Sequence, residues 1–153
     1  MKTLILGLGN LLLRDDGVGN RAAQILENKI SSSEVTVTET NTVGLGFLDY
    51  LPGHERVIII DAIQTREGKV GQIHQLSLQD IATPGYSSQT HTISLTTALE
   101  LGAKLGLALP REVIIFAIEV ADVTTFGEEL TPEVEKAIPK VIKLVLRELR
   151  GAH

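Results

Sequence analysis

Hydrophobic positions along the chain fall into two alternating kinds of segment. Residues 2–8 form a short apolar run ended by glycine, as expected of a strand buried on both faces, and residues 56–61 and 112–118 repeat that pattern. Residues 35–38 read as another strand, and residues 69–76 alternate loosely, as an edge or antiparallel strand does. Between these runs the spacing changes to that of helices. Val18, Ala22, Ile25, Leu26 and Ile30 line one stripe within residues 17–30, and Leu95, Ala98, Leu99, Gly102 and Leu105 line another within residues 93–105. A short helix is expected over residues 44–50. The last helix is expected from Thr131, as a hydroxyl cap, through Pro132 in the first helical position and Glu133 in the first turn, to about Leu149 with a bend at Pro139. Pro84, Gly85 and two serines mark residues 77–90 as a loop.

Strands alternating with helices predict an α/β fold. The expected form is a three-layer α/β/α sandwich, with a mostly parallel twisted sheet, helices on both faces and one domain over residues 1–153. In such sheets ligands meet the loops at the carboxyl ends of the strands. The search therefore narrows to residues 7–16, 39–44, 61–64 and 118–127.

Composition removes several chemistries. The chain has 153 residues, a formal charge of −5, no cysteine, no tryptophan and 3% aromatic residues. Without cysteine there is no thiolate nucleophile, disulfide or cysteine-based metal site, so any metal must be held by His, Asp or Glu. An acidic chain without a basic run or stacking aromatics is a poor partner for nucleic acid or an anionic membrane. The N-terminal apolar run is broken by Gly7, Gly9 and Asn10 and ends in Arg14-Asp15-Asp16, unlike a signal peptide, and no stretch approaches the ~20 apolar residues of a membrane span. The cytoplasm is the expected location, with no membrane insertion.

The first loop, Gly7-Leu8-Gly9-Asn10 through Gly17-Val18-Gly19, invites a dinucleotide reading and fits it badly. Leu12 stands where the third glycine belongs, and Asp15 and Asp16 stand where a pyrophosphate would meet the helix. As structural residues, one of these acids would cap the helix and the other favour its dipole, which accounts for one acid better than for two. Asp61 closes the aliphatic run 57–60, either as a turn residue or as a functional carboxylate. His91 precedes the third helix. His54 and His74 have no acid placed by the sequence to make them ligands, and His153 is terminal. Asp16, Asp61 and His91 nevertheless all lie near strand-to-helix junctions. If the strands are parallel and adjacent, two carboxylates and an imidazole converge, an O,O,N set suited to a divalent first-row metal.

At this point the sequence resembles the hydrogenase maturation endopeptidases, which remove the C-terminal extension of the nickel–iron hydrogenase large subunit. Leu6-Gly7-Leu8-Gly9-Asn10 with Asp15-Asp16-Gly17-Val18-Gly19 resembles the family's first motif, and Ile60-Asp61-Ala62 its second. His91 stands at the place of its metal-binding histidine, and Ile118-Glu119 with Leu130-Thr131-Pro132-Glu133-Val134 is similar to its last strand and helix start. The resemblance implies a metal-dependent, aspartyl-type endopeptidase in which Asp16, Asp61 and His91 are both the catalytic residues and the metal ligands. It further implies that nickel arrives in the precursor large subunit as a recognition handle, with zinc or cadmium as substitutes in the isolated protein. Glu39-Thr40-Asn41-Thr42-Val43-Gly44 departs from the family's acid-Gly-Gly-Thr-x-Gly. A non-catalytic nickel or large-subunit chaperone, a Rossmann-like nucleotide-binding protein and a metal-free aspartic dyad of Asp16 and Asp61 are the competing readings. Asp15→Asn serves as the control for Asp16→Asn and is expected to be mild in both stability and activity.

Overall fold

The computed structural model describes residues 1–82 and 94–151. Its strands are β1 (Thr3–Leu8), β2 (Val35–Thr40), β3 (Arg56–Ile63), β4 (Ile73–Leu76) and β5 (Glu112–Glu119). They form one sheet in the order β2-β1-β3-β5-β4. All neighbours are parallel except β4, which pairs antiparallel with β5 at one edge. The helices are α1 (Val18–Lys29), α2 (Leu78–Ala82), α3 (Leu95–Lys104) and α4 (Pro132–Arg150), with 3-10 turns at Arg14–Gly17 and Gly44–Asp49.

Alternation along the buried strands sorts the core into two layers. Ile58, Ile60 and Ala62 of β3 pack with Val18, Ala22 and Leu26 of α1 and with Val134, Val141 and Val145 of α4. Val57, Ile59 and Ile63 point the other way, onto Phe47, Leu51, Leu95 and Ala98. The result is the expected α/β/α sandwich. Each buried Val, Leu, Ile or Phe contributes about 1.5–3 kcal/mol by leaving water, and the sheet's centre is buried on both faces because both faces are covered.

Three local expectations change. Within residues 77–90, Leu78–Ala82 forms a helix, because Ser77 and Asp80 cap it reciprocally: Ser77 N–H donates to Asp80 Oδ2 at 2.8 Å and Asp80 N–H to Ser77 Oγ at 3.4 Å. Residues 83–90 of that predicted loop lie outside the described residues. The third helix ends at Lys104, one residue short of Leu105, which is exposed. Thr131 precedes α4 as expected, but its hydroxyl makes no cap bond; it is engaged by a carboxylate from the other end of the chain. Pro139 is accommodated within α4, which continues to Arg150. No helix among the described residues is long and apolar enough to cross a membrane.

Candidate active site

Asp61 lies inside β3 rather than closing it. Pairing with β5 continues through Asp61↔Ala117, Ala62↔Ile118 and Ile63↔Glu119, so the reading of Asp61 as a turn residue fails. A single polar residue interrupts the aliphatic run without ending the strand. The side chain is fully buried, on the face of the sheet that carries Val57, Ile59 and α3, and its Oδ1 accepts the Ala62 N–H at 2.8 Å. A carboxylate in that position is costly to desolvate and is retained only where charge or hydrogen bonding answers it.

Asp16 belongs to the 3-10 turn after β1. Its Oδ2 accepts the Asn10 N–H at 2.9 Å, and Asn10 Oδ1 in turn accepts the Leu12 N–H at 3.0 Å. The loop can close this tightly because residue 9 is glycine: its φ is +147°, and a Cβ there would stand 1.9 Å from the Asp16 carbonyl oxygen. Gly19 brings the start of α1 down in the same way, since a Cβ on it would lie 2.3 Å from Ile60 O and 2.5 Å from Leu8 O. The turn carrying Asp16 rests against β3, the strand carrying Asp61. Two of the three predicted site residues therefore share the carboxyl edge of β1 and β3. The third, His91, lies outside the described residues. Among the described residues no three His, Asp or Glu side chains are grouped to hold a metal ion.

Asp15 is too heavily bonded to be the mild control expected for stability, and neither aspartate caps α1, whose N-cap is Gly17 with no side-chain bond. Asp15 is fully buried and accepts four hydrogen bonds. Its Oδ1 takes the Thr131 N–H at 2.7 Å; its Oδ2 takes the N–H groups of Ala121 and Asp122, each at 3.0 Å, and the Thr131 hydroxyl at 2.7 Å. One carboxylate thus ties the first loop to the loop after β5 and to the electropositive start of α4. Arg14 beside it has φ +46°, a strained value for a residue with a Cβ. Its N–H to Gly127 O (2.8 Å), its Nε to Glu129 O (3.0 Å) and its guanidinium 3.5 Å from Asp122 hold it there. Asp122 is correspondingly acidic. Hydrogen bonds from Thr125, backbone first, then from the Thr124 N–H, together with the Arg14 charge, hold its carboxyl below the usual value.

His74 also differs from expectation, because the acid it lacks in sequence arrives across the sheet. Glu119, at the end of β5, is buried and accepts from His74 Nε2 at 3.1 Å, Thr65 N–H at 2.7 Å and the Thr65 hydroxyl at 2.7 Å. His74 pairs with Ala117, as Asp61 does from the other side, so the three form one row across β3, β5 and β4. Glu39, at the end of β2, is tied to α1 by the side-chain amides of Asn20 (3.2 Å) and Gln24 (2.7 Å). A cavity of about 590 Å³ lined by Arg21, Gln24, Glu128 and Glu135 lies on the α1–α4 side and includes neither Asp16 nor Asp61.

The family model described as hydrogenase maturation protease matches residues 21–148. The chain belongs to that family. The protease is 28% identical over 154 residues to the hydrogenase 2 maturation protease of Escherichia coli, covering 98% of this chain and 92% of that one. Among solved structures it is similar to the hydrogenase maturating endopeptidase HybD from E. coli, with a TM-score of 0.85 at 26% identity over 99% of this chain and 94% of that one. The NiFe hydrogenase maturation protease HybD from Thermococcus kodakarensis superposes with a TM-score of 0.76 at 27% identity, over 96% and 98% of the two chains. The family match includes Asp61 and begins after Asp16, whereas both structural matches extend over nearly all of the protease. Asp15 and Glu119 are the residues that sequence reasoning missed. For Asp15 the signal was an acid beyond what a helix cap requires, and for Glu119 it was the resemblance of Ile118-Glu119 to the family's last strand.

Proposed function

We propose that this protease removes the C-terminal extension of a nickel–iron hydrogenase large-subunit precursor and recognises the nickel already seated in that substrate through Asp16, Asp61 and His91. The observation that carries the reading is the buried carboxylate of Asp61 inside β3, beside the turn that presents Asp16, in a fold shared with the E. coli and Thermococcus maturation proteases. Carboxylate oxygens with an imidazole suit a divalent first-row metal, and nickel polarises a nearby peptide carbonyl as a Lewis acid. The chain's own part is positional. Asp16 and Asp61, each fixed by a backbone N–H, hold the precursor so that one peptide bond lies at the metal, and water adds across that bond to give a carboxylate and an amine. Isolated protein is expected to accept zinc or cadmium at the same ligands.

The test is incubation with nickel-loaded and nickel-free precursor, read as the mass of the large subunit. Cleavage of the loaded form alone by the wild type, lost in Asp16→Asn, Asp61→Asn and His91→Ala, is the expected result. Equal cleavage by the wild type and all three variants overturns the ligand assignment. An intact precursor that still co-purifies with the wild-type chain would instead support a chaperone.

A further inference from the structure

The protein has three phenylalanines, of which Phe47 and Phe116 are 0% and 1% exposed, while Phe126 is 83% exposed. Leu12 is 56% exposed, and its backbone carbonyl bonds to the residue that follows Phe126. Gly127 N–H donates to Leu12 O at 2.9 Å and Arg14 N–H to Gly127 O at 2.8 Å, forming a short parallel bridge between the loops that follow β1 and β5. The support under Phe126 is firmly built. Asp122 Oδ1 accepts the N–H groups of Thr124 and Thr125 at 3.1 and 3.0 Å, and Arg14 braces both Asp122 and the Glu129 carbonyl. Holding a phenyl ring in water on a rigid loop forgoes the stabilisation that burial would give it. Both side chains ride on loops anchored by Asp15, next to the turn that presents Asp16.

We propose that Phe126 and Leu12 form an apolar knob that docks into a hydrophobic recess on the folded large-subunit precursor, alongside the segment being cut. This inference rests on the function proposed above and names how the substrate is gripped. The two side chains expose on the order of 250 Å². That is far below the ~800 Å² per partner of a stable interface, which disfavours a permanent second copy of the chain. It suits a transient enzyme–substrate encounter, in which a few aromatic anchors carry most of the affinity and a preformed loop loses little entropy on binding.

The experiment is steady-state cleavage of nickel-loaded precursor by the wild type, Phe126→Ala, Leu12→Ala, Phe126→Tyr and Leu105→Ala. Leu105 is 63% exposed and lies beyond α3 at the opposite, amino-terminal edge of the sheet, so it serves as the control. Phe126→Ala should raise KM about 10–30-fold and Leu12→Ala roughly 3–5-fold, with kcat within about twofold. Phe126→Tyr and Leu105→Ala should match the wild type, and all melting temperatures should be unchanged. An unaltered KM for Phe126→Ala on a precursor that the wild type cleaves overturns the knob and leaves the proposed function standing. An equal rise from Leu105→Ala, or a change in oligomeric state without a change in KM, overturns it too. Failure of the wild type to cleave refutes the proposed function and this inference with it.

Discussion

Replacing Asp15 by Asn removes one oxygen from a buried carboxylate that receives four donors. If the remaining oxygen keeps the place of Oδ2, the new amide confronts the Thr131 N–H, which now faces a donor across 2.7 Å. If it keeps the place of Oδ1, the amide confronts both Ala121 and Asp122 N–H groups, and only the Thr131 hydroxyl can turn to accept. The first arrangement is the cheaper. It strands one buried donor, at about 1–3 kcal/mol, and weakens three charge-assisted bonds to neutral ones, at roughly 0.5–1 kcal/mol each, while relief of a buried charge offsets part of the loss. The net destabilisation comes to about 2–4 kcal/mol, or a fall in Tm of roughly 5–15 °C for a chain of this size. Asp16→Asn keeps the acceptor for Asn10 N–H and should melt within about 3 °C of the wild type while losing cleavage. Differential scanning calorimetry of the two variants, with cleavage measured well below either transition, separates the roles. A melting temperature for Asp15→Asn within about 2 °C of the wild type would refute the reasoning.

Three other perturbations follow from the same geometry. Gly9→Ala forces a Cβ against the Asp16 carbonyl at a φ hostile to alanine; chemical denaturation should show a loss of at least ~2 kcal/mol, with cleavage impaired as the turn shifts. Glu119→Gln cannot satisfy the Thr65 N–H, the Thr65 hydroxyl and His74 as the carboxylate does, and should lower stability by about 1–3 kcal/mol in urea unfolding. Asp122 has a folded-state pKa below its unfolded value, so its stabilisation is present above the ordinary aspartate range and is lost as pH falls through the depressed value. Melting curves recorded from pH 6 downward should therefore decline less steeply in Asp122→Asn than in the wild type at the acid end.

The layers and the order of elements could be read from the chain because they rest on local pattern. Val57–Ile60 is apolar at every position, which suits a strand covered on both faces, and Pro132 after Thr131 marks the start of α4. The positions of Asp16 and Asp61 could be singled out because Asp61 lies near the carboxyl end of β3 and Asp16 in the loop that follows β1. The role of Asp15 could not, since its donors stand 106 to 116 residues away and two of them are backbone groups of a loop without a pattern of its own. The Glu119–His74 pair was hidden for a related reason. It depends on the antiparallel register of a four-residue edge strand, and a shift of one residue would have turned His74 to the other face. Asp61 was misjudged as a terminus because a polar side chain usually stops an aliphatic run, and only the continued pairing to Ile63 reveals otherwise.

The junction at Gly19 has a consequence for how the catalytic cycle proceeds. Helix and sheet meet there backbone to backbone, against the carbonyls of Ile60 and Leu8, with no side chain between them to rotate or compress. Motions that open and shut a cleft usually draw on such adaptable contacts, and the approach at Gly19 has none to offer. On the proposed function, Asp16 and Asp61 would serve as a fixed gauge rather than as closing jaws. On that reading, the adjustment needed to bring a peptide bond against them would fall to the incoming tail rather than to the junction of α1 with the sheet.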